Sequence, residues 1–337
     1  MILEKYKLNP ILRPNKEHYW ENLCVLNPAV IYDEKDQLFK MIYRAAGNDY
    51  EHYIYLGLAV SKDGFEFERV REKPVLSPTI NGADGGCCED PRLFELGGYY
   101  YLTYASRTFP PGQYWKQNKK VFGFKPEFGP RMLTTNNSIT YLAVSSDLVH
   151  WKKLGRITDS RYDDRDVIVF WHKESNRFCK ISRPYEWCGE GYPCKTPSIW
   201  ISFGEDMMEW EKPEFLFEGS KWWEDKKIGG STNVIDTKYG YLLTYHGVST
   251  KDDCYRIGAL MLDHNDPRKI IAQTNNPIMV PEFQYENEGF YNGCVFPCSI
   301  VIKDGKMFWY YGTADKYVCV ATCDYEEFLD KLMKGEL

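Results

Sequence analysis

Asp90 lies in the run Cys88-Glu89-Asp90-Pro91-Arg92, just after Asp84-Gly85-Gly86. Proline pins the chain here, so the carboxyl has a fixed direction. A carboxyl on the floor of a pocket can have its pKa raised by burial, and can then protonate a leaving oxygen. Glu89 would assist that shift and Arg92 would oppose it. Two other sets of residues recur at matching places along the chain. One is short and polar: Asn27, Asp90, Asp166 and Asn233, with Phe296 at the fifth place and Asn292 four residues before it. The other is basic: Arg44 in MIYRA, Arg183 in KISRP and His246 in LTYHG, with Ala105 and Gly312 at the remaining places and Asp315 just beyond. A guanidinium is a planar fork that suits an oxyanion or phosphate. Each member has an ordinary structural explanation, such as a strand cap or a lone ion pair. Together they describe an anion site beside an acid.

These places match because the chain repeats. An apolar strand, a polar turn, an aromatic-rich strand and a third strand ending at an Asp corner return five times, near Ala29, Pro91, Val167, Asn233 and Pro297. A strand-built unit of roughly 65 residues implies a β-propeller, whose blades bring equivalent positions around one axis. The expected fold is therefore all-β: one five-bladed propeller over 1–337, with blades near 27–70, 90–154, 166–212, 232–270 and 295–324. Hairpin turns fall at Gly97-Gly98, Tyr239-Gly240 and Asp304-Gly305. The corner residues Asp63, Asp147, Asp206, Asp263 and Asp324 occur in every repeat and read as turn caps. Residues 1–26 are expected to complete the last blade, and 325–337 to form a short C-terminal helix with Leu329, Leu332 and Met333 on one face. Two segments break the period, 108–137 and 185–197. Both are long enough to cover a site or to contact another subunit, so a homo-oligomer is a further expectation.

Composition narrows the function classes. Aromatic residues make up 16% of the 337, which suits strands and carbohydrate faces alike. The net charge of −6 gives no footprint for nucleic acid, and no basic cluster suggests a membrane surface. The opening MILEKYKLNP has no long apolar run of a secretory leader, and no stretch reaches the roughly 18 apolar residues of a membrane span. The 11 cysteines include no CxxC and read as reduced core thiols, so a cytoplasmic location without a metal site is expected.

GCCEDPRLFELGGYYYLTYAS resembles the signature of glycoside hydrolase family 130, the β-mannoside phosphorylases and mannosidases. So do NPAVIYDEKDQLFKMIYRA, RDVIVFWHK with SRP, KIGGSTNVIDTKYGYLLTYHGV, YRIGALMLDHNDPRKIIAQTNNPIMVPE and NGCVFPCSIVIKDGKMFWYYGTAD, in the family's order, from about Pro10 to Leu329. The resemblance implies a five-bladed propeller that cleaves β-mannosides with inversion. It needs no cofactor and takes inorganic phosphate as co-substrate. It makes Asp90 the catalytic acid, with its proton relayed through the sugar 3-hydroxyl. It assigns Arg44 and His246 to phosphate, with Lys173 and Arg183 beside them, and Asn27, Asp166, Asn292 and Asp315 to the mannosyl unit.

The chain departs from the phosphorylase pattern in two places. Gly229-Gly230-Ser231-Thr232-Asn233-Val234-Ile235 stands where a Gly-x-Gly-Pro-Pro-Ile stretch is usual, and Phe170-Trp171-His172-Lys173 where Phe-Pro-Glu-Lys is usual. Some members are hydrolases. These need a second carboxylate roughly 6.5–9.5 Å from the acid to activate water, and Glu174, Glu186 and Glu190 are the candidates near in sequence. A non-catalytic glycan-binding propeller is the third alternative; it would need the aromatic residues but no acid beside an anion site.

Overall fold

The computed structural model describes residues 2–116 and 126–337. Five antiparallel sheets form five blades. The innermost strands are Cys24–Asp33, Glu89–Leu96, Asp164–His172, Lys227–Gly230 continued by Ile235–Asp236, and Val295–Lys303. Each blade then runs outward through consecutive antiparallel neighbours. The exception closes the ring: Glu4–Lys5 supplies the outermost strand of blade five by pairing with Tyr317–Asp324. The N-terminal segment thus completes the last blade, as its position before the first repeat suggested. The helix Tyr325–Met333 follows, with Asp324 capping the Glu327 N–H and Phe328, Leu329 and Leu332 buried. Part of the insertion expected at 108–137, residues 117–125, lies outside the described residues.

The recurring Asp residues are turn caps. The carboxylates of Asp63, Asp147, Asp206 and Asp263 each accept two backbone N–H groups from the residues that follow.

A second repeated device escaped the sequence pattern. Four blades bury a carboxylate of the incoming loop against a tyrosine hydroxyl of the second strand. Tyr43 donates to Glu21 (3.0 Å), Tyr104 to Asp84 (3.0 Å), Tyr245 to Glu224 (2.7 Å) and Tyr311 to Glu286 (3.0 Å). Arg69, Lys153 and Lys5 satisfy three of these acids further, and the Ser220 and Lys221 N–H groups satisfy Glu224. Such groups are tolerated inside only when paired. Each tyrosine directly precedes the residue that the second strand presents toward the axis, Arg44 or His246 among them, so the clamp sets the register of the site. Blade three has Ser182 at this place.

Candidate active site

Four innermost strands bulge at the same point, the fifth blade between Pro297 and Ser299 and three others at a polar residue. The ladder slips between Leu26 and Ala29, between Glu89 and Arg92, and between Arg165 and Ile168. At the slip Asn27, Asp90 and Asp166 adopt φ of +46°, +53° and +64°. A bulge re-aims a side chain that a regular strand would bury between blades. Asn and Asp tolerate this left-handed backbone better than other side chains. The bulge therefore explains why short polar residues recur there. Asn233 does not share the register. Gly230 holds it in blade four, opposite Tyr245, and Pro297 holds it in blade five, opposite Tyr311. Asn233 instead bonds the backbone of Ile300 in the next blade, accepting from its N–H at 3.0 Å.

Arg44, Ala105, Arg183, His246 and Gly312 occupy one ladder position, facing Leu26, Glu89, Arg165, Gly229 and Phe296. Two of these positions require glycine for space. A Cβ on Gly312 would lie 2.0 Å from Asn27 Oδ1, and one on Gly229 would lie 2.7 Å from both the Asp166 carboxylate and the His246 ring. Gly229 thus makes room for the histidine.

The bulged residues, the cations and Asp315 line one axial cavity of about 530 Å³. It is electrically divided. On the side of blades one, two and five stand Glu89, Asp90 and Asp315 with Arg44 and Arg107, three carboxylates to two cations. Arg44 bridges Asp90 (2.9 Å) and Glu89 (3.1 Å), and Asn27 donates to Asp90 at 2.6 Å. On the side of blades three and four stand Arg165, Arg183 and Lys227 with Asp163 and Asp166, three cations to two carboxylates. Arg165 pairs with Asp163 (2.7 Å) and Arg183 with Asp166 (2.5 Å). Lys227 donates to the Tyr255 hydroxyl at 2.7 Å and has no carboxylate partner among the described residues. Arg183 Nε and His246 Nδ1 are buried without a hydrogen-bond partner among the described residues.

The protonation states follow this division. Burial favours a neutral Asp90, but Arg44, the Asn27 amide and Arg92 outweigh it and hold the carboxyl below its usual range. The expected upward shift is therefore reversed in the free protein, because Arg44 sits directly on the carboxylate. Burial does raise Asp315, against the pull of Arg44 and Tyr114. Burial pushes His246 down to about 3, so the imidazole is neutral at physiological pH. Burial, followed by the charge of Arg183, pushes Lys227 down to about 8.

Two expected site residues lie elsewhere. Lys173 is in the turn after the innermost strand of blade three, 68% exposed at its side chain and paired with Asp236. Seven residues of extended chain put it roughly 23 Å from Asp166. Strand geometry alone carries it to the other end of the blade. Asn292 is exposed and accepts from the Gly289 N–H at 3.3 Å, although its neighbours Tyr291 and Cys294 line the cavity. Asn27, Arg44, Asp90, Asp166, Arg183, His246 and Asp315 do come together. Arg107, Arg165, Lys227 and Tyr255 join them unforeseen. Arg165 was within reach of the sequence, since it directly precedes the polar place of its repeat.

Comparison with known proteins adds a separate line of observation. A family model described as beta-1,4-mannooligosaccharide phosphorylase (Glyco_hydro_130) matches residues 4–126 and 192–334. The chain is 33% identical over 332 residues to a 1,2-β-oligomannan phosphorylase of Thermoanaerobacter sp. (strain X514), covering 96% of this chain and 98% of that protein. A β-1,2-mannobiose phosphorylase of the same organism is 32% identical over 337 residues, with the same coverage. The solved structure of a β-1,2-mannobiose phosphorylase from Listeria innocua, in complex with β-1,2-mannobiose, matches with a TM-score of 0.78 at 21% identity. It covers 98% of this chain and 99% of that one, and speaks for the shared five-bladed fold.

Proposed function

Since the chain belongs to glycoside hydrolase family 130, enzymes acting on mannosides, we propose that it is an inverting phosphorylase of β-1,2-linked mannosides. Inorganic phosphate enters the cation-rich half of the cavity. One of its oxygens bonds to the anomeric carbon as the glycosidic C–O bond breaks on the opposite face. The departing sugar oxygen receives the proton held by Asp90, and α-mannose 1-phosphate leaves. The observation that carries this reading is Lys227, a cation on the cavity wall that has no carboxylate partner among the described residues, beside Arg183, whose Nε is likewise unbonded among them. A dianion supplies the missing partner.

The low pKa of Asp90 in the free protein is compatible with its role as acid. Phosphate adds negative charge to the cavity and the sugar displaces water; both raise the affinity of Asp90 for a proton. No protein base is needed, since phosphate is already the nucleophile. Hydrolysis would need one, and the glutamates offered by the sequence are not in the cavity lining. Glu174 shares the distant turn with Lys173, and Glu186 accepts the Asp163 N–H and pairs with Arg131. The β-1,2 linkage rests on the names of the two relatives above 30% identity. The deciding experiment incubates the enzyme with β-1,2- and β-1,4-mannobiose, with and without phosphate. Phosphate-dependent release of α-mannose 1-phosphate from the β-1,2 substrate is the expected result. Equal cleavage without phosphate would overturn phosphorolysis, and preference for the β-1,4 substrate would overturn the linkage.

A further inference from the structure

The stretch 110–116 leaves blade two, crosses the rim of blade one and reaches blade five. Its backbone and side chains are tied down on the way. The Gly112 N–H donates to the Glu51 carbonyl (3.0 Å) and Gln113 Nε2 to the Asp49 carbonyl (2.9 Å). Trp115 packs on Phe290 with centroids 4.4 Å apart, and edge-on against His52 at 4.8 Å. Between these anchors Tyr114 turns inward. It lines the cavity, and its hydroxyl donates to Asp315 Oδ2 at 2.7 Å.

That hydrogen bond matters because of how little else holds Asp315. Among the described residues no other group hydrogen-bonds or ion-pairs with its side chain. Asp315 sits at φ +54°, directly after Ala314 at +46°. Two successive left-handed residues persist only where the surroundings over-determine them. Here the Ala314 carbonyl accepts the N–H groups of Phe290 (2.9 Å) and Tyr291 (3.2 Å). The same Phe290 carries Trp115. The strap and the Asp315 turn are thus packed as one unit: Tyr114 holds Oδ2 of this cavity-lining carboxylate, and Oδ1 has no hydrogen-bond partner among the described residues.

We propose that Tyr114 is a positioning residue for the sugar: it fixes Asp315 by one oxygen so that the other meets a hydroxyl of the mannosyl unit. The strap would then tune sugar binding without touching the phosphate side, where no residue of 110–116 makes a hydrogen bond. The kinetic part of this inference rests on the phosphorolytic reading above; the binding part does not.

Tyr114→Phe removes only the hydroxyl. It should raise the KM for the mannoside about tenfold, the usual consequence of losing a hydrogen bond to a charged group, and leave the KM for phosphate within about twofold. Because the hydroxyl favours the ionised form of Asp315, its loss should also move the acid limb of mannoside affinity to higher pH, which a purely structural defect would not do. Trp115→Ala, which frees the strap without altering the cavity wall, should reproduce part of the mannoside effect. Calorimetric titration of β-1,2-mannobiose into Asp90→Asn protein, with and without Tyr114→Phe and without phosphate, reads the same effect with no turnover. Unchanged mannoside affinity, an unmoved acid limb, or equal weakening of both co-substrates would overturn the role of Tyr114. An unchanged Trp115→Ala protein would overturn the role of the strap. A wild-type enzyme indifferent to phosphate would sink phosphorolysis, and the titration would still decide the role of Tyr114.

Discussion

The two halves of the cavity use the same residue types in opposite proportion. Around Arg44 the carboxylates Glu89, Asp90 and Asp315 are in excess, and Arg44 itself is engaged by two of them. Around Arg183 the cations are in excess, and Lys227 has no acidic partner among the described residues. A saturated arginine orders its carboxylates. An unsaturated lysine awaits an anion. On the proposed reading Arg44, expected at the phosphate, instead serves the acid and the sugar, and Arg183, Lys227 and Arg165 would cradle the phosphate.

The largest expected effect is on the acid half. Asp90→Asn should lower kcat by about 10²–10⁴-fold, the usual range for a general acid, with mannoside binding retained by calorimetry. Full activity of that variant would remove Asp90 from the mechanism. Next comes the cradle. Lys227→Ala should raise the phosphate KM by roughly 10–100-fold, as expected for a charge-assisted contact, with a small effect on mannoside affinity in the absence of phosphate. Equal damage to both would erase the division between the halves.

A pH series sharpens the same point at smaller amplitude. The ammonium of Lys227 is held down to about 8 in the free protein. On the alkaline side phosphate affinity should therefore fall as the pH rises through about 8, where the ammonium becomes neutral. Lys227→Arg, which stays charged, should flatten that limb; the same decline in the variant would assign the titration to another group. The smallest effect belongs to Lys173→Ala, outside the cavity, whose phosphate KM should stay within about twofold, the scale of an exposed ion pair. A large rise would place the phosphate site wrongly.

Lys173 matches a motif, and motif position does not say at which end of a strand a side chain stands; Asn292 is beside the cavity in sequence, but its side chain turns outward to the Gly289 N–H. Asn233 heads the apolar run of blade four, but that blade starts its innermost strand earlier, at Lys227, and breaks it between Gly230 and Ile235, so the shared place falls on Gly230. The buried Tyr–carboxylate clamps do carry a spacing: Glu21, Asp84 and Glu224 each stand five residues before the ladder positions Leu26, Glu89 and Gly229, and only Glu286, in the helical turn Gln284–Asn287, breaks it.

The sequence by itself determined the number of blades, the closure by the N-terminal segment, the capping role of the corner Asp residues, and the meeting of Asp90, Arg44, Arg183 and His246. Those follow from a repeat, and a repeat is visible in one dimension. Only the tertiary structure decided which carboxylate each cation neutralises, that Lys227 is left over, and that Arg44 holds Asp90 ionised. Charge balance depends on distances of a few ångströms between different blades, and no spacing along the chain encodes them.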